Sequence, residues 1–264
     1  MPTSFFLRSC RYLLKVTAIT GMDMRKLRHD PTELLTRAIQ PMLWLLVFGQ
    51  VFARAHVIPT GGVDYVAFLV PGILAQSVLF VAIFNGISVI WERDLGIVHK
   101  FLASPTPRTA LVLGKALASG VRALTQAVIV YGVAVALGVP LAWSAEALLG
   151  IVALVLLGAA LFSTFSLIIA CIVKTRERFM GIGQVLTMPL FFASNAIYPT
   201  DIMPPWLKFI AHSNPLSYVV DGLRALMLQG GSAVLGVGAD FAVLVAALAV
   251  LVWAGGWMYP RLIV

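Results

Sequence analysis

The residues able to do charge chemistry in this chain are few, and most of them crowd one stretch. Positions 91–115 read WERDLGIVHKFLASPTPRTALVLGK. Glu92, Arg93 and Asp94 stand together there, followed by Lys100, Arg108 and Lys115. No nucleophile, base or ligand set accompanies them, so the chemistry on offer is charge-to-charge recognition. The run 91–102 is helix-compatible, breaks at Pro105 and Pro107, and regains helical character toward Lys115. A stiff, mixed-charge connection of this kind is suited to docking a partner. A second constellation lies at Asn214-Pro215 with Tyr218, Asp221 and Arg224. Asp221 and Arg224 are i,i+3 neighbours and are expected to pair on one helical face.

The elements that must position these residues are membrane helices. The 264-residue sequence is 60% hydrophobic and only 11% charged, against about 25% charged in a soluble domain. Six apolar runs are long enough for a spanning helix of ~20 residues: 34–52, 65–90, 116–137, 147–173, 179–198 and 240–259. Barrel strands would instead alternate over about 10 residues. The expected fold is an all-α polytopic membrane protein with six transmembrane helices in one domain, 1–264. An N-terminal amphipathic tail, 1–33, interleaves Phe5, Phe6, Leu13 and Ile19 with Arg8, Arg11 and Lys15. It reads as a helix lying in the inner headgroup layer. Asp30-Pro31 marks the start of the first span.

The net charge of +8 follows topology rather than nucleic-acid binding. Sixteen Lys and Arg residues fall on the tail with Arg37 just beyond it, the 91–115 connection with Arg122 following, the KTRER turn at 174–178 and the C-terminal end, against Arg54, Lys208 and Arg224 elsewhere. This positive-inside bias places both termini in the cytoplasm. The first 30 residues have no uninterrupted apolar core and do not read as a secretory signal. The KTRER turn is so short that its flanking spans must form a tight hairpin. The last outer connection, 199–239, is long yet apolar. It is expected to hold two short helices, 205–211 and 217–228, dipping into the outer leaflet.

Several function classes are excluded or disfavoured. No GxxxxGK[ST] occurs, so the chain holds no P-loop ATP site. HExxH and GxSxG are absent too. Cys10 and Cys171 are expected on the cytoplasmic side, where a structural disulfide does not form. His29, His56, His99 and His212 lack metal-ligand spacing. The spans carry neutral polar residues in place of an ionisable relay, which disfavours ion-coupled transport. Gln76, Asn85, Gln184 and Asn195 are the candidate substrate path, with interhelical hydrogen bonding as the competing role. Phe84, Phe162, Phe165, Phe191 and Phe192 are available for apolar contact.

Taken in order, these features resemble the membrane permeases of ABC type-2 exporters, which move drugs, glycolipids or polysaccharides. Three features carry the resemblance across the whole chain. One is the order of amphipathic tail, six spans and long last outer connection. Another is the stretch from Glu92-Arg93-Asp94 to Leu102, then Pro105, Pro107, Arg108 and LVLGK. The last is Asn214-Pro215-Leu216-Ser217-Tyr218 with Asp221-Gly222 and Arg224. His99-Lys100 and Trp91 depart from the family's usual residues there.

The resemblance implies that the loop 91–110 carries a coupling helix, Glu92 to Ala103, seated in a cleft of a separate ATPase subunit. Glu92, Arg93, Asp94, Leu95, Val98, Lys100, Phe101 and Arg108 would contact it, and Arg176 in the KTRER turn would add a smaller contact. It further implies two permease copies as a homodimer and two ATPases that carry the ATP and Mg, with no cofactor on this chain. The setting would be a bacterial inner membrane. The alternatives are an autonomous channel or secondary carrier, or a non-transport membrane scaffold.

Overall fold

In the computed structural model, residues 12, 14–22, 39–56, 58–60, 62–104, 106–173 and 175–262 are described. Most of the 1–33 tail, Asp30-Pro31, Pro105, Lys174 and Cys10 lie outside them. The described residues are helical, with one isolated bridge and no strand. We name the helices α1 (14–22), α2 (Ile39–Ala55), α3 (Tyr65–Asp94), α4 (Ile97–Ala103), α5 (Arg108–Ala136), α6 (Ala145–Ile172), α7 (Arg176–Phe192), α8 (Pro205–Ser213), α9 (Pro215–Met227) and α10 (Val237–Met258). A 3₁₀ turn, Tyr259–Leu262, prolongs α10.

Among the described residues, four helices are long and apolar enough to cross a membrane: α3, α5, α6, and α10 with its 3₁₀ extension. The other two expected runs form shorter helices, α2 and α7, of 17 residues each. At 1.5 Å per residue each reaches about 26 Å, slightly less than a ~30 Å hydrocarbon core. α2 contains a π-helical segment, Trp44–Gly49.

Helix boundaries follow local chemistry. Asp64 caps α3 by accepting from the Val66 amide at 3.1 Å, and Ser144 caps α6 from Ala147 at 3.2 Å. Thr175 caps α7 within the charged turn, accepting from Arg178. Each side chain satisfies one of the amides that a helix start leaves unpaired. Asn214 with Pro215 opens α9, as the sequence predicts.

α3 is the centre of the bundle and is buried through most of its 30 residues. It packs against α5, α6, α7 and α9, and α6 packs in turn against α5 and α10. Water does not drive helices together inside a bilayer, so close packing and polar bonds must. Asn85 supplies one such bond, donating to Ser163 Oγ at 3.1 Å, and Ser166 donates to the Ile83 carbonyl.

The amphipathic tail seats part of itself on protein. Val16 and Ile19 of α1 are buried. The Thr20 hydroxyl donates to the Gly114 carbonyl at 3.0 Å. A Cβ at Gly114 would stand 2.7 Å from Ile19 Cβ, so only glycine permits this approach. In the long outer connection the two expected short helices are present as α8 and α9, and they differ. α9 is buried against α3, α6 and α10. α8 exposes Trp206, Phe209 and Ile210. The end of α9 is joined to the α5–α6 turn, where Ala142 donates to Met227 O at 2.7 Å and Gln229 donates to Pro140 O at 3.1 Å.

Candidate functional site

The charged stretch divides at a glycine. The sequence reads as one helical run from 91 to 102, but Gly96 takes a left-handed conformation, φ +70°, and separates α3 from α4. L side chains rarely adopt that region. Glu92, Arg93 and Asp94 therefore belong to the last turn of the central helix, and the free-standing inner helix is the shorter α4.

The two halves have different roles. Glu92 is buried and paired with Lys115, which enters from the second turn of α5, and both side chains are almost fully shielded. Val98 is likewise fully buried and anchors α4 to the body. Neither side chain is available to a docking partner, which corrects the expectation that both form a contact surface. In such a buried pair each group offsets part of the desolvation cost of the other.

Asp94 works differently. It accepts from Arg93 at 2.8 Å and from Arg176 Nη2 at 2.9 Å, and Arg176 also lies 4.2 Å over the Trp91 ring. The KTRER turn is thus fastened to the end of α3. Phe101 is partly buried, whereas Leu95 (68% exposed), Lys100 and Arg108 face outward. Of the expected contact residues, Asp94, Leu95, Lys100 and Arg108 present the most surface, with Arg93, Phe101 and Arg176 partly shielded.

Above this hinge lies a cavity of about 1110 Å³ between α2, α3, α5 and α7. Gln76, Asn85 and Gln184 line it together, and so do Leu95 and Ile97 at its inner end. From Gln76 to Leu95 the wall follows α3 for about 28 Å at 1.5 Å per residue. Positions 76, 77, 80, 81, 84, 85, 88, 91, 92 and 95 share one face at helical spacing. That periodicity is legible in the sequence and could have singled out the wall.

Arg122 and Gln126, one turn apart on α5, also line the cavity. The sequence places Arg122 near the end of a run starting at 116. α5 in fact starts at Arg108, so Arg122 lies about 21 Å along the helix. Ionisable groups at such depth mark functional surfaces more often than structural ones. Asn195, the fourth expected path residue, is elsewhere, beside the outer motif.

At the outer end, Asn214 holds three partners. Its Oδ1 accepts from Leu216, and its Nδ2 donates to Leu190 O at 2.7 Å and Ala193 O at 3.1 Å. Pro215 occupies the first turn of α9. Tyr218 donates its hydroxyl to His212 O at 2.7 Å. The expected Asp221–Arg224 pair does not form. Asp221 Oδ2 accepts from the Val234 amide at 2.8 Å, and Arg224 donates to Asn195 O at 2.8 Å while lying 3.8 Å over Phe68. Tertiary partners outcompete the helical neighbour. Sequence reasoning also missed Asp240, wholly buried in the first turn of α10.

The cavity thus runs along the central helix to the Gly96 hinge. A profile of the ABC-2 type transporter family matches residues 15–228. The chain belongs to the ABC-2 type transporter family. It is a membrane permease subunit of an ABC transporter. The permease is 29% identical over 226 residues to the putative transport permease ycf38 of Cyanophora paradoxa, covering 85% of this chain and 76% of that one. It is 27% identical over 208 residues to the daunorubicin resistance ABC transporter permease protein DrrB1 of Streptomyces coeruleorubidus, covering 77% and 71%. It is 30% identical over 172 residues to the probable multidrug ABC transporter permease YbhR of Escherichia coli K12, covering 64% and 46%.

Proposed function

We propose that this permease exports an amphipathic molecule, either a drug or a lipid-linked compound or polysaccharide, powered by a separate ATPase subunit docked on α4 and the KTRER turn. The four long helices and the shorter α2 and α7 all cross the inner membrane, and both termini are cytoplasmic. Two permease copies form the path and two ATPases drive it. ATP and Mg²⁺ reside on the ATPases, and this chain binds no cofactor of its own.

The observation that carries this reading is the position of Leu95 and Ile97. Both line the inner end of the cavity, on either side of Gly96, and Leu95 is also largely exposed. A partner that pushes on this hinge changes the cavity floor directly, with no intervening relay. Among the described residues, the cavity wall mixes Phe80, Phe84 and Val81 with amides, Arg122 and, toward the hinge, Glu92. Such a surface suits an apolar body with one polar end. The relatives named for daunorubicin resistance and multidrug transport support a drug-like substrate.

The test is co-purification from native membranes followed by an ATPase assay. An ATP-hydrolysing partner in roughly equal amount is expected. Its stimulation by substrate should be lost in Leu95→Asp and Lys100→Glu while permease expression persists. A lone permease that carries flux under an ion gradient would overturn the proposal in favour of a carrier. A lone protein without flux would point to a scaffold.

A further inference from the structure

We infer that the outer end of the permease holds a small monovalent cation, bound by Asp221, Asp240, Asn195 and Ser217. These four side chains come from α9, α10 and the segment after α7, and they line one small cavity of about 40 Å³. That space admits one ion with an accompanying water, since a single water needs roughly 10–15 Å³ measured this way.

All four residues are more than nine-tenths buried: Asp240 is 0%, Asp221 4%, Asn195 5% and Ser217 8% exposed. Each carries at least one buried oxygen without a hydrogen-bond partner: Asp221 Oδ1, both carboxylate oxygens of Asp240, Asn195 Oδ1 and Ser217 Oγ. Unsatisfied buried polar atoms are rare in folded proteins, and five on one cavity call for an occupant. With both carboxylates ionised, four of the five can only accept, and the serine hydroxyl alone could donate. An array of oxygens with so few donors is the preference of a hard cation.

The charge count selects the valence. Asp221 and Asp240 are close enough to repel one another, and Arg224, one turn along α9, acts on Asp221. Two carboxylates beside one guanidinium leave one negative charge uncompensated, and an isolated buried charge is strongly disfavoured. One monovalent cation closes that balance, whereas a divalent ion overshoots it. Arg224 does not line the cavity, because its guanidinium is held by Asn195 O and Phe68. His212 and Tyr218 on the rim are the remaining titratable neighbours. Exposed residues at the rim, His212, Val234 and Leu235, give the ion a route from the outer medium.

The ion would tie three segments together at one point. The experiment is thermal unfolding of the full chain in detergent, with NaCl replacing choline chloride at constant ionic strength. For a Kd of about 10 mM, raising Na⁺ from 1 to 100 mM should lift Tm by about 3–5 °C. Asp240→Asn removes the surplus charge, so it should abolish the Na⁺ response and match the Na⁺-loaded wild type in Tm. A destabilised Asp240→Asn that keeps its Na⁺ response would overturn the assignment. Ser217→Ala keeps both carboxylates, and its Na⁺ dependence should shift to higher concentration. A flat wild-type response refutes the site. Equal stabilisation by micromolar Ca²⁺ refutes the monovalent assignment, and a response to acid alone identifies a shared proton instead.

Discussion

The two ends of this permease treat charge in opposite ways. At the inner end every acidic group of the hinge has a cationic partner: Glu92 has Lys115, and Asp94 has Arg93 and Arg176. At the outer end Asp221, Asp240 and Arg224 are buried within one neighbourhood, yet no ion pair joins them among the described residues. Closed pairs fix one geometry, since breaking either would strand a charge. An open charge set has no preferred geometry until something completes it. Under the proposed function, the inner end carries force and the outer end responds to its surroundings.

The sharpest way to break this comparison is at the buried pair. Lys115→Met should cost about 3–5 kcal/mol, because it removes the buried cationic partner of Glu92. The double variant Lys115→Met with Glu92→Leu should recover most of that loss in Tm. If the single variant is as stable as wild type, the inner end does not depend on pairing. Next comes Asn214→Ala, which removes a helix cap and two hydrogen bonds to the end of α7. A loss of about 2 kcal/mol in denaturant unfolding is expected. The smallest stability effect is expected from Asp94→Asn, under about 1 kcal/mol because the network is partly exposed. Its signature should appear instead as weaker coupling of a partner's ATP hydrolysis to transport. Equal loss of stability and coupling would show that Asp94 only holds the fold.

Much of the fold was legible because membrane helices announce themselves by length and apolarity. The runs at 65–90, 116–137, 147–173 and 240–259 each lie largely within an apolar helix long enough to span, and Asn214-Pro215 marked the start of α9 without ambiguity. Side-chain partnership was less legible. Spacing shows that Asp221 and Arg224 share a helical face, but nothing local reveals that the Val234 amide and the Asn195 carbonyl compete for them. Glu92 looked superficial beside Arg93 and Asp94. Its burial depends on Lys115, 23 residues away across a hairpin whose rotation the sequence does not state. Asn195 looked like a neighbour of Gln184 on the same run. α7 ends at Phe192, so Asn195 leaves the helical phase and turns to the outer motif.

Gly96 carries a consequence for how this permease could be tuned. The left-handed residue between α3 and α4 suspends the inner helix from a single backbone position. Any other residue there pays a steric penalty of roughly 1–2 kcal/mol, or straightens the chain into one helix. Straightening would swing Ile97 away from the cavity mouth and carry Lys100 with it. The size of the chamber and the angle offered to a motor are then one mechanical coordinate, and a change selected for one would be inherited by the other.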